Sequence, residues 1–167
     1  MITRRHDDGT RRSSALFSDC GAYRYGLRRR WADGPSLLYV MLNPSTADER
    51  RNDPTIERCE RRARALGFGA LSIANLFAFR ATDPRDLKRA AEPVGAENDA
   101  LLLDWHRAAD MTLAAWGVHG AHLGRHRAVL SLLDGPLHHL GLTRGGLPRH
   151  PLYVAYAARP EPWDRTP

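Results

Sequence analysis

Four short apolar runs, at 37–42, 70–75, 111–116 and 137–140, punctuate the chain, and each interval between them is long enough for a helix. Apolar runs of strand length bounded by Gly, Pro, Asn or Asp read as strands buried on both faces. Between them the apolar residues recur with helical period. Ile56, Cys59, Ala63 and Leu66 form one stripe over 55–66, with Asp53 as N-cap, Pro54 at the first position and Gly67 as the stop. Arg58, Arg61, Arg62 and Arg64 fall largely off that stripe and read as a solvated face. Thr82, Asp83 and Pro84 start a short helix; a longer one spans about 97–109, with Leu101, Leu102 and Trp105 on its apolar face. A further helix covers roughly 121–133. Strands alternating with helices predict an α/β fold, with a four-stranded parallel central sheet covered on both faces.

The N-terminal part has a different pattern. Residues 23–31 alternate apolar and polar positions, as a half-buried strand does, and Asp33-Gly34-Pro35 predicts a turn pairing that strand with 37–42 as a hairpin. Residues 1–20 are polar, arginine-rich and aperiodic, which predicts a flexible basic arm ahead of a single domain over 21–167.

Charge adds a candidate partner. The chain has 25 Lys+Arg against 19 Asp+Glu, a net charge of +6, and Lys88 is its only lysine. Arginine forks phosphates and stacks on bases, so the excess is compatible with nucleic acid, although a GC-rich genome produces the same bias. Two cysteines, Cys20 and Cys59, are too few for a four-thiolate metal cluster. His119, His122, His138 and His139 lack the accompanying carboxylates or thiolates of a metal site and read as solvated or packed residues. No run of about 18 apolar residues is present, and the first residues carry charge without an apolar stretch behind it. The expectation is a soluble cytoplasmic protein that works as a monomer without metal or cofactor and away from membranes.

The candidate chemistry sits where the predicted strands end. Pro44 has no N–H to donate and disfavours the helical region for Asn43, so the first strand stops there. Asn43 then offers a donor and an acceptor at the carboxyl edge of the sheet, where open α/β folds bind ligands. Asn75 ends the second strand, and either a ligand or the backbone can satisfy its amide. Trp116 and Gly117 end the third. The fourth leads into a Gly- and Pro-rich loop carrying His150 between Arg149 and Pro151. In a parallel sheet these ends share one edge.

The motifs YRY (23–25), MLNPSTAD (41–48), DPT (53–55), NLFAFR (75–80), AWG (115–117) and HPLY (150–153), in this order, resemble a bacterial and phage family named domain of unknown function 1643. More distantly the arrangement is similar to the uracil-DNA glycosylase superfamily, most of all its mismatch-specific branch, with Met41 at its motif glycine and Leu152 at its motif serine. That resemblance implies a three-layer αβα sandwich, with an N-terminal strand or hairpin added here. It implies a DNA base glycosylase, in which Asn43 positions the attacking water, Asn75 reads the flipped base and His150 stabilises the departing base. It extends the substrate-binding set to Met41, Leu42, Pro44, Ser45, Phe77 and Trp116. The partner it implies is single- or double-stranded DNA carrying a damaged, mismatched or modified base, held at its phosphates by Arg80, Arg144 and Arg149. Two other readings stand beside it: a catalytically silent nucleic-acid-binding module, and an enzyme of free or modified nucleotides.

Overall fold

The computed structural model describes residues 1–165. Its strands are β1 (Ile2–Asp7), β2 (Arg12–Phe17), β3 (Arg24–Arg30), β4 (Ser36–Met41), β5 (Ala70–Asn75), β6 (Met111–Ala114), β7 (His138–His139) and β8 (Glu161–Pro162). The helices are α1 (Pro54–Ala65), α2 (Pro84–Arg89), α3 (Asn98–Ala108) and α4 (Arg125–Leu132), and a kinked 3-10 segment precedes α4. One mixed sheet contains all eight strands, in the order β1-β2-β3-β5-β4-β6-β7-β8.

The four apolar runs pair in parallel, as β5-β4-β6-β7. They are not the whole sheet. Antiparallel pairings β1·β2, β2·β3, β3·β5 and β7·β8 outnumber the parallel ones, so the expected four-stranded parallel sheet gives way to a wider mixed one. Alternation along β4 divides the core. Leu37, Tyr39 and Met41 pack with Ile56, Cys59 and Ala63 of α1, whereas Leu38 and Val40 face Leu102 and Trp105 of α3 and Val129 of α4. Helices therefore cover both faces of the parallel strands. The expected helices at 55–66 and 97–109 are α1 and α3; the expected 121–133 helix is broken at Leu123, whose φ of 55° no continuous helix tolerates.

Two N-terminal expectations are corrected. Residues 1–20 are not a flexible arm: β1 and β2 form a hairpin, and Arg11 donates to the Glu60 carboxylate of α1 at 2.7 Å. β1 is an edge strand exposed along nearly its whole length, so no apolar alternation marks it. The strand at 24–30 does not form a hairpin with β4. Instead β5 lies between them, pairing antiparallel with β3 and parallel with β4. The turn crosses over Gly69, whose carbonyl accepts from the N–H groups of Trp31 and Ala32 while its own N–H donates to Pro35. A Cβ on Gly69 would lie 2.5 Å from the carbonyl oxygens of Ala32 and Asp33, so only glycine allows this crossing.

Candidate functional site

A cleft of about 710 Å³ opens beyond the carboxyl ends of β4 and β6, within the size range of small-ligand pockets. Its walls come from the loop after β4, the N-terminus of α1, residues 81–84, the loop after β6 and the 143–153 segment. Met41, Leu42, Asn43, Ser45, Trp116, Arg144, Arg149 and His150 all line it.

Asn43 is pinned. Its Nδ2 donates to the carbonyls of Ala81 at 2.8 Å, Pro44 at 3.1 Å and Phe79 at 3.4 Å. Three carbonyl acceptors fix which end of the amide is nitrogen, so Oδ1 points away from them and makes no hydrogen bond among the described residues. The Ser45 and Thr82 hydroxyls, 2.9 Å apart, tie the same two loops together. His150 is held from the other side. Its Nδ1 accepts from the Leu152 N–H at 3.3 Å, which leaves the proton on Nε2. Burial pulls its pKa below the usual 6.5, against the pull of the Asp53 carboxylate, so the ring is a neutral donor at pH 7.

Two ionised groups belong to the cleft as well. Arg24 is almost fully buried, with Nη1 donating to the Ala47 carbonyl at 2.5 Å and Nε without a partner among the described residues. Burial lowers its pKa to about 10, opposed by Asp53, so it stays cationic. Asp53 caps α1: one oxygen accepts from the Ile56 N–H at 2.9 Å and the other from the Ala47 N–H at 3.3 Å. Both carboxylate oxygens are thus occupied by backbone. Trp116 forms a wall because Gly120 lets the following turn close on it; a Cβ there would sit 2.2 Å from the indole Cδ1.

The family model described as "Protein of unknown function (DUF1643)" matches residues 24–152. The chain belongs to the DUF1643 family. No curated protein and no solved structure matches it. The DUF1643 match spans nearly the whole cleft, from Arg24 to Leu152, and leaves β1, β2 and Tyr153 outside.

Four residues expected at the site do not line the cleft. Asn75 is buried beside Met41 in the β4–β5 register, and neither atom of its amide has a hydrogen-bond partner among the described residues. Phe77 is in the core on the α3 side, its ring 5.6 Å from that of His122. Pro44 is buried in the turn. Arg80 turns toward the N-terminal hairpin, donating to Gly21 at 3.1 Å and lying 5.2 Å over Phe17. Motif order placed these residues near one edge but did not say which face each side chain takes. Arg24, Asp53, Thr82, His119 and Tyr153 line the cleft and were not expected there. Only Asp53 had a signal, its N-cap position before Pro54. Among the described residues no three His, Cys, Asp or Glu side chains gather as a metal-holding group, and no helix is long and apolar enough to cross a membrane.

Proposed function

We propose that this DUF1643 protein is a DNA base glycosylase-like enzyme, hydrolysing the N-glycosidic bond of a damaged, mismatched or modified base flipped into the cleft. The observation that carries the reading is the pairing of Asn43, with its acceptor oxygen unoccupied, and His150, a neutral donor, in one cleft beyond the parallel strands. Such a reaction develops positive charge on the sugar and negative charge on the base. Asn43 Oδ1 holds a water facing C1′; the water oxygen bonds to C1′ as the C1′–N bond breaks and its electron pair passes to the base. His150 Nε2–H donates to the base carbonyl where that charge collects, and the proton released by the water ends on the departed base. Arg144 and Arg149 meet the flanking phosphates, and the exposed Leu152 and Tyr153 fill the space that the flipped base vacates. The same reading extends to the fold: the β5-β4-β6-β7 strands with helices on both faces are the part proposed to correspond to a uracil-DNA glycosylase-like sandwich. No cofactor takes part.

One observation favours the second reading, a silent nucleic-acid-binding module. Asp53 is the cleft's carboxylate, and both its oxygens are committed to capping α1 and holding the Ala47 N–H, a structural role that favours a site without a general base. Incubation with oligonucleotides bearing uracil, mismatched thymine, hypoxanthine or hypermodified bases, followed by alkali, decides between them. Strand scission supports the enzyme; salt-dependent binding without scission supports the module.

Two predictions follow from the same geometry. Because burial lowers the His150 pKa, the unfolded chain takes up this proton first as pH falls below 6.5. The stability it contributes is present above 6.5 and lost on acidification through the folded pKa. Protonation of Nδ1 also breaks the bond from Leu152, so single-turnover rates should be flat at and above pH 6.5 and decline only as pH falls through the lowered folded-state pKa. A rate that rises between pH 7 and pH 5 would overturn the neutral-donor role of His150. The second concerns Arg149: its reversal to Glu should weaken DNA binding and reduce the slope of log affinity against log salt by roughly one unit. Unchanged affinity assigns that charge to solubility.

A further inference from the structure

The sheet face that α3 leaves open carries a second concentration of positive charge, at the other end of the molecule from the cleft. In register, Arg5 of β1 lies opposite Ser14 of β2, Ser14 opposite Arg28 of β3, and Arg12 opposite Arg30. Side chains two residues apart on a strand, and those directly opposite across a pairing, share one face. Arg5, Arg12, Arg28 and Arg30 are therefore near neighbours, within roughly 10 Å across the three strands. Together they line a groove of about 580 Å³. Its far wall is Ser36, Ala70 and Ser72, at the amino ends of β4 and β5, so the length of a six-residue strand, about 17 Å, separates it from the cleft.

Acidic residues are few beside this cluster: Asp7 lies opposite Arg12 in the β1–β2 register, and Asp110 holds Ser36 at the groove's rim. None of the four arginines forms an ion pair among the described residues, although Arg11, Arg61, Arg64, Arg85, Arg107 and Arg125 elsewhere do. Arg30 donates to the Ala32 carbonyl and Arg28 stacks 4.0 Å over Trp105; neither contact cancels charge. Asp7 is the acidic residue on this face of β1, and its carboxylate accepts from the Gly9 N–H. Four clustered, unpaired guanidinium groups repel one another and are stabilised by a polyanion, with counterion release as the driving force.

We infer that the β1–β2–β3 face is a second docking surface for duplex nucleic acid, held through the phosphodiester backbone. Guanidinium forks beside the Ser14 and Ser72 hydroxyls are phosphate-contacting groups. Stacking on unpaired bases would need an exposed ring, and the groove's aromatic, Trp105, is buried beneath Arg28, which favours a duplex over a single strand. Half of the charge, Arg5 and Arg12, comes from the hairpin outside the family-matched residues. The surface is independent of whether the cleft is catalytic.

The test is fluorescence anisotropy of the full chain on a duplex of ordinary bases, titrated with salt. The R12E/R28E variant should bind at least tenfold more weakly near 0.1 M salt, with a slope lower by about two units, one for each lost phosphate contact. R149E should lower the slope separately, and the triple variant should add the two losses. Wild-type affinity and slope in R12E/R28E overturn the inference. So does displacement of the duplex by polyglutamate at equal charge concentration, which would make the partner an acidic protein surface. If circular dichroism shows R12E/R28E misfolded, R5E on the exposed edge strand replaces it: a slope lower by about one supports the surface, and an unchanged slope overturns it.

Discussion

Asn43→Ala is expected to slow single-turnover base release by about 10²-fold, the cost of displacing a reacting group by roughly 1 Å, while DNA affinity stays nearly unchanged. The separation arises because a held water matters in the transition state more than in the bound ground state. The structure adds a second consequence. The same side chain closes the 43–45 loop onto residues 79–81 through the Phe79 and Ala81 carbonyls, the nearer at 2.8 Å. Removing it strands those acceptors and should cost about 1–3 kcal/mol of stability. The two roles are separable by measurement. Loss of turnover with affinity kept identifies the held water. Parallel loss of both identifies loop support alone, and full activity means that Asn43-Pro44 is only a turn.

The parts of the fold legible in the sequence were those where burial is two-sided or where a cap is spelled out. Leu37 to Met41 read as a strand because both faces are covered, and α1 was bounded by Asp53, Pro54 and Gly67. What was not legible depended on contacts distant in sequence. β1 has no apolar period because water reaches it on both sides, and the partner of β3 was decided by the crossing over Gly69, invisible in local turn chemistry. The cleft was legible to a similar degree. Asn43, Trp116 and His150 followed from strand ends meeting at one edge. Asn75 and Phe77 were misjudged because end position does not fix which way a side chain leaves the sheet. Arg24 was missed because an arginine in an alternating strand reads as solvated, whereas here it is buried under the cleft and bonded to Ala47.

Of the α1 arginines, Arg61 and Arg64 are exposed as expected, but Arg62 was misread in the same way, and it supplies the largest expected effect on stability. Arg62 is 2% exposed, and its Nη2 donates to the carbonyls of Ala155 at 2.8 Å and Val154 at 3.3 Å. Arg58 donates alongside it to Val154 at 2.7 Å and lies 4.2 Å over Tyr156. The segment they hold begins at Pro151, the residue after His150, so α1 anchors the loop that carries the proposed donor. Arg62→Ala removes charge-assisted hydrogen bonds and leaves a cavity, an expected loss of about 3 kcal/mol, or roughly 6–12 °C in Tm. Arg61, one position earlier, is exposed and pairs with Glu57 at 3.0 Å, so Arg61→Ala should change stability by no more than about 0.5 kcal/mol. Arg62 also has an opposing term, since its Nε and Nη1 are buried without partners. Arg62→Met, which keeps the volume and discards those unsatisfied groups, should recover part of the alanine loss without restoring the anchor. Thermal unfolding and single-turnover rates together test the arrangement. Equal effects of Arg61→Ala and Arg62→Ala would refute it; a methionine variant that is stable yet slow would show that the anchor acts on His150 rather than on the core.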